Sequence, residues 1–342
     1  MIKEAIKLLL RGENLNEQLT KAVISEIMEG KLSPVQIAAF LTGLRIKGET
    51  DVEISSAASV MRERSIRLYP KVDKIIDTCG TGGDNLQTLN VSTLVALVVS
   101  AYGVAVAKHG NRSVSSSCGS ADLIEALDIP LLKDKDVIER GIERVGFGYI
   151  FAPYFHPAMR FAMPIRKELG IRTIFNVLGP LANPASPAYQ ILGVYNRDLI
   201  LVIIRALKTL GLKGALVFHA QDGMDEISIS SDSDYAQLID GNISKEILTI
   251  TPSEYGIKKV GLESLRVKNL EDSLAKARKV ISGEDSPELD IVALNSGWAL
   301  YVLKEVSNSM EGFRKAKELL IGKRVLEKIE EIKDYYRNVS IK

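Results

Sequence analysis

The chain has 342 residues, 46% of them hydrophobic, and its 44 basic side chains nearly balance 43 acidic ones. That length can bury a large core and predicts one big domain plus a smaller one, while a formal net charge of +1 leaves no global field to draw in nucleic acid or a membrane surface, so any anion must be held by local basic loops. No stretch approaches the roughly 18 apolar residues of a membrane span, and three histidines with two cysteines make no zinc pattern; Cys79 and Cys118, each inside a glycine-rich loop, fit reduced thiols of a cytoplasmic protein.

Residues 1 to about 66 read as helices only. Asn14 with Glu17 predicts a capping box, followed by a stripe of Leu19, Val23 and Ile27 that stops at Gly30. Ser33-Pro34 opens the next helix, with Val35, Ala38, Leu41 and Leu44 expected inward and Gly48 ending it; Thr50 with Glu53 caps another bearing Ile54, Ala57, Ala58 and Met61. Four short amphipathic helices cannot each bury both sides, so they are expected to pack on the rest of the chain, on a second subunit, or on both.

From about Lys74 to Phe151 the pattern becomes βαβ, with strands near 75–78, 104–107 and 147–151 and helices at 91–102, 118–127 and 134–145. The first strand runs into Asp77-Thr78-Cys79-Gly80-Thr81-Gly82-Gly83-Asp84. Its glycines permit positive φ and remove the Cβ atoms that would keep a polyanion from the amide N–H groups, although neither the dinucleotide fingerprint nor the Walker spacing is present. Asn90-Val91-Ser92-Thr93 starts an apolar helix, where orphan N–H groups and the positive dipole end favour an anion. The second strand delivers Lys108-His109-Gly110-Asn111-Arg112-Ser113-Val114-Ser115-Ser116-Ser117-Cys118-Gly119-Ser120. Each loop alone is as readily a plain turn or a solvated surface. Two of them at consecutive strand ends, with the hydroxyl-bearing helix start between, point to one extended anion carrying several phosphates.

His156-Pro157 is predicted to begin a helix through Leu169, with His156, Met159, Met163 and Arg166 on one face. Gly179-Pro180 and Asn183-Pro184 read as a rigid loop between two segments. Strands follow near 189–194 and 215–219 around a helix at 199–210, and the second ends in Gln221-Asp222-Gly223-Met224-Asp225-Glu226. Magnesium prefers a few carboxylates, waters and phosphate oxygens to an all-protein cage, so Asp225-Glu226 at a strand end suits a partial shell; such a pair is otherwise simply solvated. Strands are predicted near 227–230, 234–239 and 246–250, then helices from about 270 to the end, with Trp298 in the core.

The strings Gly80-Thr81-Gly82-Gly83-Asp84, Asn90-Val91-Ser92-Thr93 and Lys108-His109-Gly110-Asn111-Arg112 closely resemble the anthranilate phosphoribosyltransferases. The likeness continues in Ile165 to Thr173, Asn176 to Leu181 and Asp222 to Glu226, so it spans nearly the whole chain. It implies an α/β fold of the nucleoside phosphorylase type: a small N-terminal helical domain, residues 1–66 with a returning piece near 165–185, on the acceptor and dimer side, and a large α/β domain, residues 67–164 and 186–342, with a mostly parallel central sheet. It further implies transfer of a 5-phosphoribosyl group from 5-phosphoribosyl 1-diphosphate to anthranilate in tryptophan biosynthesis, with Mg2+ as cofactor and a homodimer. The donor site would comprise Gly80, Gly83, Asp84, Thr88, Asn90, Val91, Ser92, Thr93, Lys108, His109, Gly110, Asn111, Arg112, Ser113, Val114, Ser115, Ser116 and Ser120. Anthranilate would meet Gly80, Asn111 and Arg166, the metal Ser92, Asp225 and Glu226. His109 keeps two readings, a hydrogen bond to the acceptor amine or a structural loop histidine, and no residue is fixed as a catalytic nucleophile or base. Two rivals stand beside this expectation: a pyrimidine nucleoside phosphorylase, which the glycine loop ending in Asp84 and the acidic pair fit less well, and a catalytically silent relative that binds nucleic acid, which the near-zero charge opposes.

Overall fold

The structure, a computed structural model, describes residues 1–84, 86–112 and 118–340. Four helices come first: α1 (Ile2–Leu10), α2 (Glu17–Met28), α3 (Pro34–Lys47) and α4 (Asp51–Glu63). Ser33 with Gln36 and Thr50 with Glu53 form reciprocal capping boxes that satisfy orphan N–H groups at the starts of α3 and α4. The predicted box at Asn14 does not form. Asn16 caps α2 through the Leu19 N–H at 2.8 Å, and Asn14 instead accepts from Lys47 Nζ. Val35 also faces outward, 78% exposed, because the buried face of α3 is set by Ile37, Phe40, Leu41 and Leu44 at helical spacing.

The remaining chain alternates: β1 (Ile75–Gly80), α5 (Val91–Tyr102), β2 (Ala105–Gly110), α6 (Ser120–Ala126), α7 (Lys135–Val145), β3 (Phe147–Phe151), α8 (Ala152–Phe155), α9 (Met163–Leu169), α10 (Phe175–Leu181), β4 (Tyr189–Gly193), α11 (Leu199–Thr209) and β5 (Gly214–Ala220). After it come β6 (Ser233–Ile239), β7 (Asn242–Ile243), β8 (Leu248–Ile250), α12 (Leu270–Ile281), α13 (Pro287–Val302), α14 (Ser309–Ile321) and α15 (Arg324–Ser340). Among the described residues the strands form one eight-stranded sheet in the order β3-β2-β1-β4-β5-β6-β7, with β8 also paired to β6. The first five are parallel and the last three antiparallel.

Three local expectations give way. Residues 156–169 are not one helix: a 3-10 turn over Pro157–Phe161 precedes α9, because Pro164 supplies no N–H to continue the preceding turn. Gly179-Pro180 lies inside α10 rather than in a loop. No strand forms at 227–230, since the Ile227 backbone is taken by the Asn295 side chain and the Ser228 hydroxyl by Asp222, so local side-chain bonds outcompete a ladder.

Both sheet faces are covered. Ile191 and Leu216 join α5, α13, α14 and α15 in one core, while their neighbours Leu192 and Val217 turn to the other face. There they meet α11 and share a single apolar cluster with Ile24, Phe40 and Ile54 of the bundle and with Ile165, Phe175 and Leu178 of α9 and α10. The bundle therefore buries its inner stripes against the sheet-bearing part of the chain. No helix among the described residues is long and apolar enough to cross a membrane.

Candidate active site

The sheet order reverses direction between β1 and β4, since β1 connects forward to β2 on one side while β4 opens the other. Crevices at the carboxyl ends of strands form where an order reverses in this way. The ends of β1, β2, β4 and β5 converge there, and β1, β2 and β5 carry the glycine or polar loops that the sequence singles out.

The β5 turn folds back over the glycine loop. Asp225 Oδ2 accepts the Gly82 N–H at 2.7 Å, and a Cβ on Gly80 would lie only 2.3 Å from the same oxygen. At Gly193, closing β4, a Cβ would lie 1.6 Å from the Asp225 carbonyl oxygen, so two glycines from neighbouring strands make room for one acidic turn. Gly82 and Gly83 take φ of +66° and +81°, the left-handed region that side chains resist. Glu226 Oε1 accepts the Ser92 N–H at 2.9 Å, satisfying an orphan donor at the start of α5. Burial, then the neighbouring Asp84, pushes the Asp225 carboxyl up; burial, then Asp225, does the same to Glu226.

Lys108 lies beneath this surface, 1% exposed, with Nζ donating to the Thr78 carbonyl at 2.5 Å and to Ser92 Oγ at 3.4 Å. Burial lowers its pKa and Asp77 opposes that shift. Asp77 accepts the His109 N–H at 3.3 Å and Asn183 Nδ2 at 2.8 Å, and burial moves its carboxyl up to about 6. His109 Nδ1 sits 3.1 Å from the Gly179 carbonyl, and among the described residues its buried Nε2 has no partner. The ring packs 5.0 Å from that of His156, and burial followed by His156 holds His109 well below the usual imidazole range. A carbonyl can only accept, so Nδ1 carries the proton of the neutral ring.

On the β2 side, Ser120 Oγ donates to the Asn111 carbonyl and pairs with the Tyr149 hydroxyl at 2.8 Å; a Cβ on Gly110 would strike both oxygens. Asn90 Nδ2 donates to the Cys118 carbonyl, Val91 and Thr93 are buried, and Thr88 bridges to Arg266. Arg112 turns aside, with Asp122 and Glu125 at 2.6 and 2.5 Å and Phe151 under its guanidinium. Ser113, Val114, Ser115 and Ser116 lie outside the described residues. Arg166 is half-buried over Phe175 with Nη1 near Met163 Sδ. Among the described residues no group of three or more acidic, histidine or cysteine side chains converges to hold a metal unaided.

Residues 72–322 match the glycosyl transferase family, a/b domain, and residues 3–65 the helical bundle domain of the glycosyl transferase family. The anthranilate phosphoribosyltransferase of Persephonella marina is 43% identical over 98% of this chain and 99% of its own length; that of Acetivibrio thermocellus is 45% identical over 98% and 96%. The chain belongs to the anthranilate phosphoribosyltransferases. Among solved structures, the anthranilate phosphoribosyltransferase of Thermus thermophilus superposes with a TM-score of 0.92 at 39% identity, over 97% of this chain and 99% of that one. The Saccharomyces cerevisiae anthranilate phosphoribosyltransferase in complex with PRPP and Mg gives 0.89 at 26% identity over 98% of each, and its complex with 4-fluoroanthranilate gives 0.88.

Several groups that shape the crevice escape a sequence reading. Arg172 donates through Nη2 to the Gly83 carbonyl and lies 4.1 Å from the Tyr195 ring centroid, tying the segment that carries Arg166 to the glycine loop. Tyr195 in turn donates its N–H to Thr81 Oγ1. Asn295 holds the backbone that follows Glu226, and Gly193 and Tyr149 wall the crevice. Only Arg172, inside the Ile165 to Thr173 string, left a trace in sequence; the others are separated from the motifs they support by up to 114 positions.

Proposed function

We propose that this chain transfers the 5-phosphoribosyl group of 5-phosphoribosyl 1-diphosphate to the amine of anthranilate, giving N-(5-phosphoribosyl)anthranilate and diphosphate for tryptophan biosynthesis, in the cytoplasm. The folding of Asp225-Glu226 over both the glycine loop and the start of α5 carries this reading. It brings acidic oxygens, exposed amides and two flexible glycines to one strand-end crevice, which a plain turn would not require.

The donor set suits Mg2+, a hard cation that takes oxygen ligands and keeps several for water and phosphate. Ser92, Asp225 and Glu226 would hold it, and when bound it neutralises charge on the departing diphosphate. The chain's own part is positioning and electrostatics. Gly82 and Ser92 N–H groups fix the two carboxylates, and the α5 N-terminus with buried Lys108 places positive potential under the leaving group. Gly80, Gly83, Asp84, Thr88 and Asn90 to Thr93 are assigned to the diphosphate side, Lys108 and Gly110 to Ser116 with Ser120 to ribose and its phosphate. Cleavage at C1 leaves an oxocarbenium-like centre, so the acceptor must be held in line rather than activated by a strong base. The Arg166 guanidinium, which matches a carboxylate bidentately, is assigned to anthranilate with Gly80 and Asn111 as neighbours. For His109, the bond to Gly179 and the enclosed Nε2 support an orienting role at the end of α10.

The acceptor and dimer side is assigned to residues 1–66 with about 165–185. Leu10, Val35 and Ile46 on α1 and α3 are 81%, 78% and 82% exposed, which favours a covering second copy of the chain. Sedimentation should then show a dimer that Leu10→Glu with Ile46→Glu converts to monomer; a wild-type monomer would remove that part.

Loss of anthranilate fluorescence on adding 5-phosphoribosyl 1-diphosphate and magnesium tests the activity. No loss, with consumption of thymidine and phosphate instead, would make the chain a nucleoside phosphorylase. A salt-dependent shift of DNA with neither reaction would make it a binding protein.

A further inference from the structure

A second cationic cleft lies away from the strand ends, at the seam where α2 and α4 meet the end of α11. It encloses 470 Å³ between Lys21, Ser56, Arg62, Arg67, Ser186 and Thr209. Arg62 forms its floor. This side chain is 7% exposed, and among the described residues its one hydrogen bond runs from Nε to the Leu181 carbonyl at 2.7 Å, capping the end of α10. A guanidinium has five N–H groups, so four are left, and among the described residues no carboxylate lies within 4.0 Å of it. Arg67 stands beside it. Its Nη2 donates to Ser186 Oγ at 3.0 Å, and among the described residues its buried Nε has no partner and it too lacks a carboxylate neighbour.

Two guanidiniums side by side in a half-enclosed space repel each other, and among the described residues the Leu181 carbonyl, the Ser186 hydroxyl and the Tyr69 ring offset only part of the water they have lost. Burial, then Arg67, brings the Arg62 pKa down to about 10, with the more distant Asp77 carboxylate opposing the shift only in part. The acids of the cleft sit at its mouth and are engaged elsewhere: Glu17 pairs with Lys21 at 2.6 Å, and Glu63 accepts the Ser59 hydroxyl at 2.9 Å. The floor is thus positive and the rim mixed. A structural role for Arg62 as the cap of α10 uses one of its donors and leaves both the second arginine and the space unexplained.

We propose that this cleft is a binding site for a phosphate-bearing small molecule, held by Arg62 and Arg67 with the Ser186 hydroxyl and reached past Lys21. The donors available outnumber the lone pairs of one carboxylate and suit the three or four oxygens of a tetrahedral oxyanion. The ligand would bridge α4 of the bundle to the loop before β4. The site is independent of the transfer reaction assigned to the strand ends.

Crystals of the full-length protein soaked in sodium selenate locate tetrahedral oxyanions by anomalous scattering. The expected result is a selenate between Arg62 and Arg67 that disappears in Arg67→Gln, while any selenate on the glycine loops persists in both. Arg62→Gln removes a buried cap and endangers the fold, which is why the half-exposed Arg67 is the diagnostic change. Calorimetric titration then separates the ligands: weakening of ribose 5-phosphate binding by at least about 10-fold in Arg67→Gln, with inorganic phosphate unaffected, identifies a sugar phosphate, and equal weakening of both identifies free phosphate. Selenate confined to the glycine loops, or an adventitious ion only, seen in the crystal yet with titrations identical in wild type and Arg67→Gln, would overturn the proposal.

Discussion

Single atoms decide most of the crevice. The missing Cβ of Gly193 and of Gly80 lets the Asp225 turn settle onto the sheet, and the Glu226 carboxylate then finds the Ser92 N–H. Glu226→Gln keeps the shape and one acceptor oxygen but removes the charge. Steady-state kinetics should show kcat down by at least about 10-fold and a higher magnesium requirement, with the anthranilate KM little changed. Arg166→Ala should do the reverse, raising the anthranilate KM by about 10-fold or more with a smaller effect on kcat, because it removes binding shared by ground and transition states. Both variants near wild type would withdraw these two assignments. Residue types at these positions were legible in the sequence as chemistry, but the mutual fit of Gly193 and Asp225, 32 positions apart, had no local signature.

At the scale of elements, short α10 is held by its neighbours rather than by its own propensity. Its terminal carbonyls at Gly179, Pro180 and Leu181 are taken by His109, Gln190 and Arg62, three side chains from β2, β4 and α4. A sequence reading of Gly179-Pro180 as a turn weighs local propensity alone, and those distant caps reverse it. Asn295 on α13 plays the same part for the segment after Glu226, donating to the Ile227 carbonyl at 2.8 Å and accepting its N–H at 3.0 Å. Asn295→Ala would strand both buried backbone groups. Chemical denaturation should show a loss of about 1–3 kcal/mol, and kcat should fall more than either KM changes as the acidic pair loses its support. Unaltered stability would mean that water replaces the amide.

Across the whole molecule, the bundle, α9 and α10 share one apolar cluster with a face of the sheet, and the His109–His156 pair lies where these parts meet the strand ends. Burial lowers the His156 pKa from 6.5 to about 4. The folded protein therefore binds this proton less readily than the unfolded chain, so the contribution of neutral His156 is complete above pH 6.5 and is lost as pH falls toward 4. The buried Asp77 carboxyl, raised to about 6, works in the opposite sense, present at low pH and lost as pH rises through 6. Comparing wild type with His156→Gln cancels that term. Urea titrations should show the wild-type advantage shrinking by up to about 3 kcal/mol between pH 7 and 4; a constant difference would mean that His156 is solvated.

The helices of the bundle, the βαβ alternation from β1 to β3, the two glycine-rich loops, the helix start between them and the acidic turn were determined by the sequence alone, because each depends on neighbours within a few positions: periodic burial, caps, φ freedom and hydroxyls beside orphan amides. Tertiary structure alone decided that the acidic turn folds over β1 and β4, that Lys108 lies under α5 rather than open to solvent, and that Pro180 sits inside a helix. It also decided that Arg62 and Arg67 face one cleft. Those outcomes rest on contacts between segments far apart in the chain, whose energy appears only once the sheet has fixed which strand ends lie side by side.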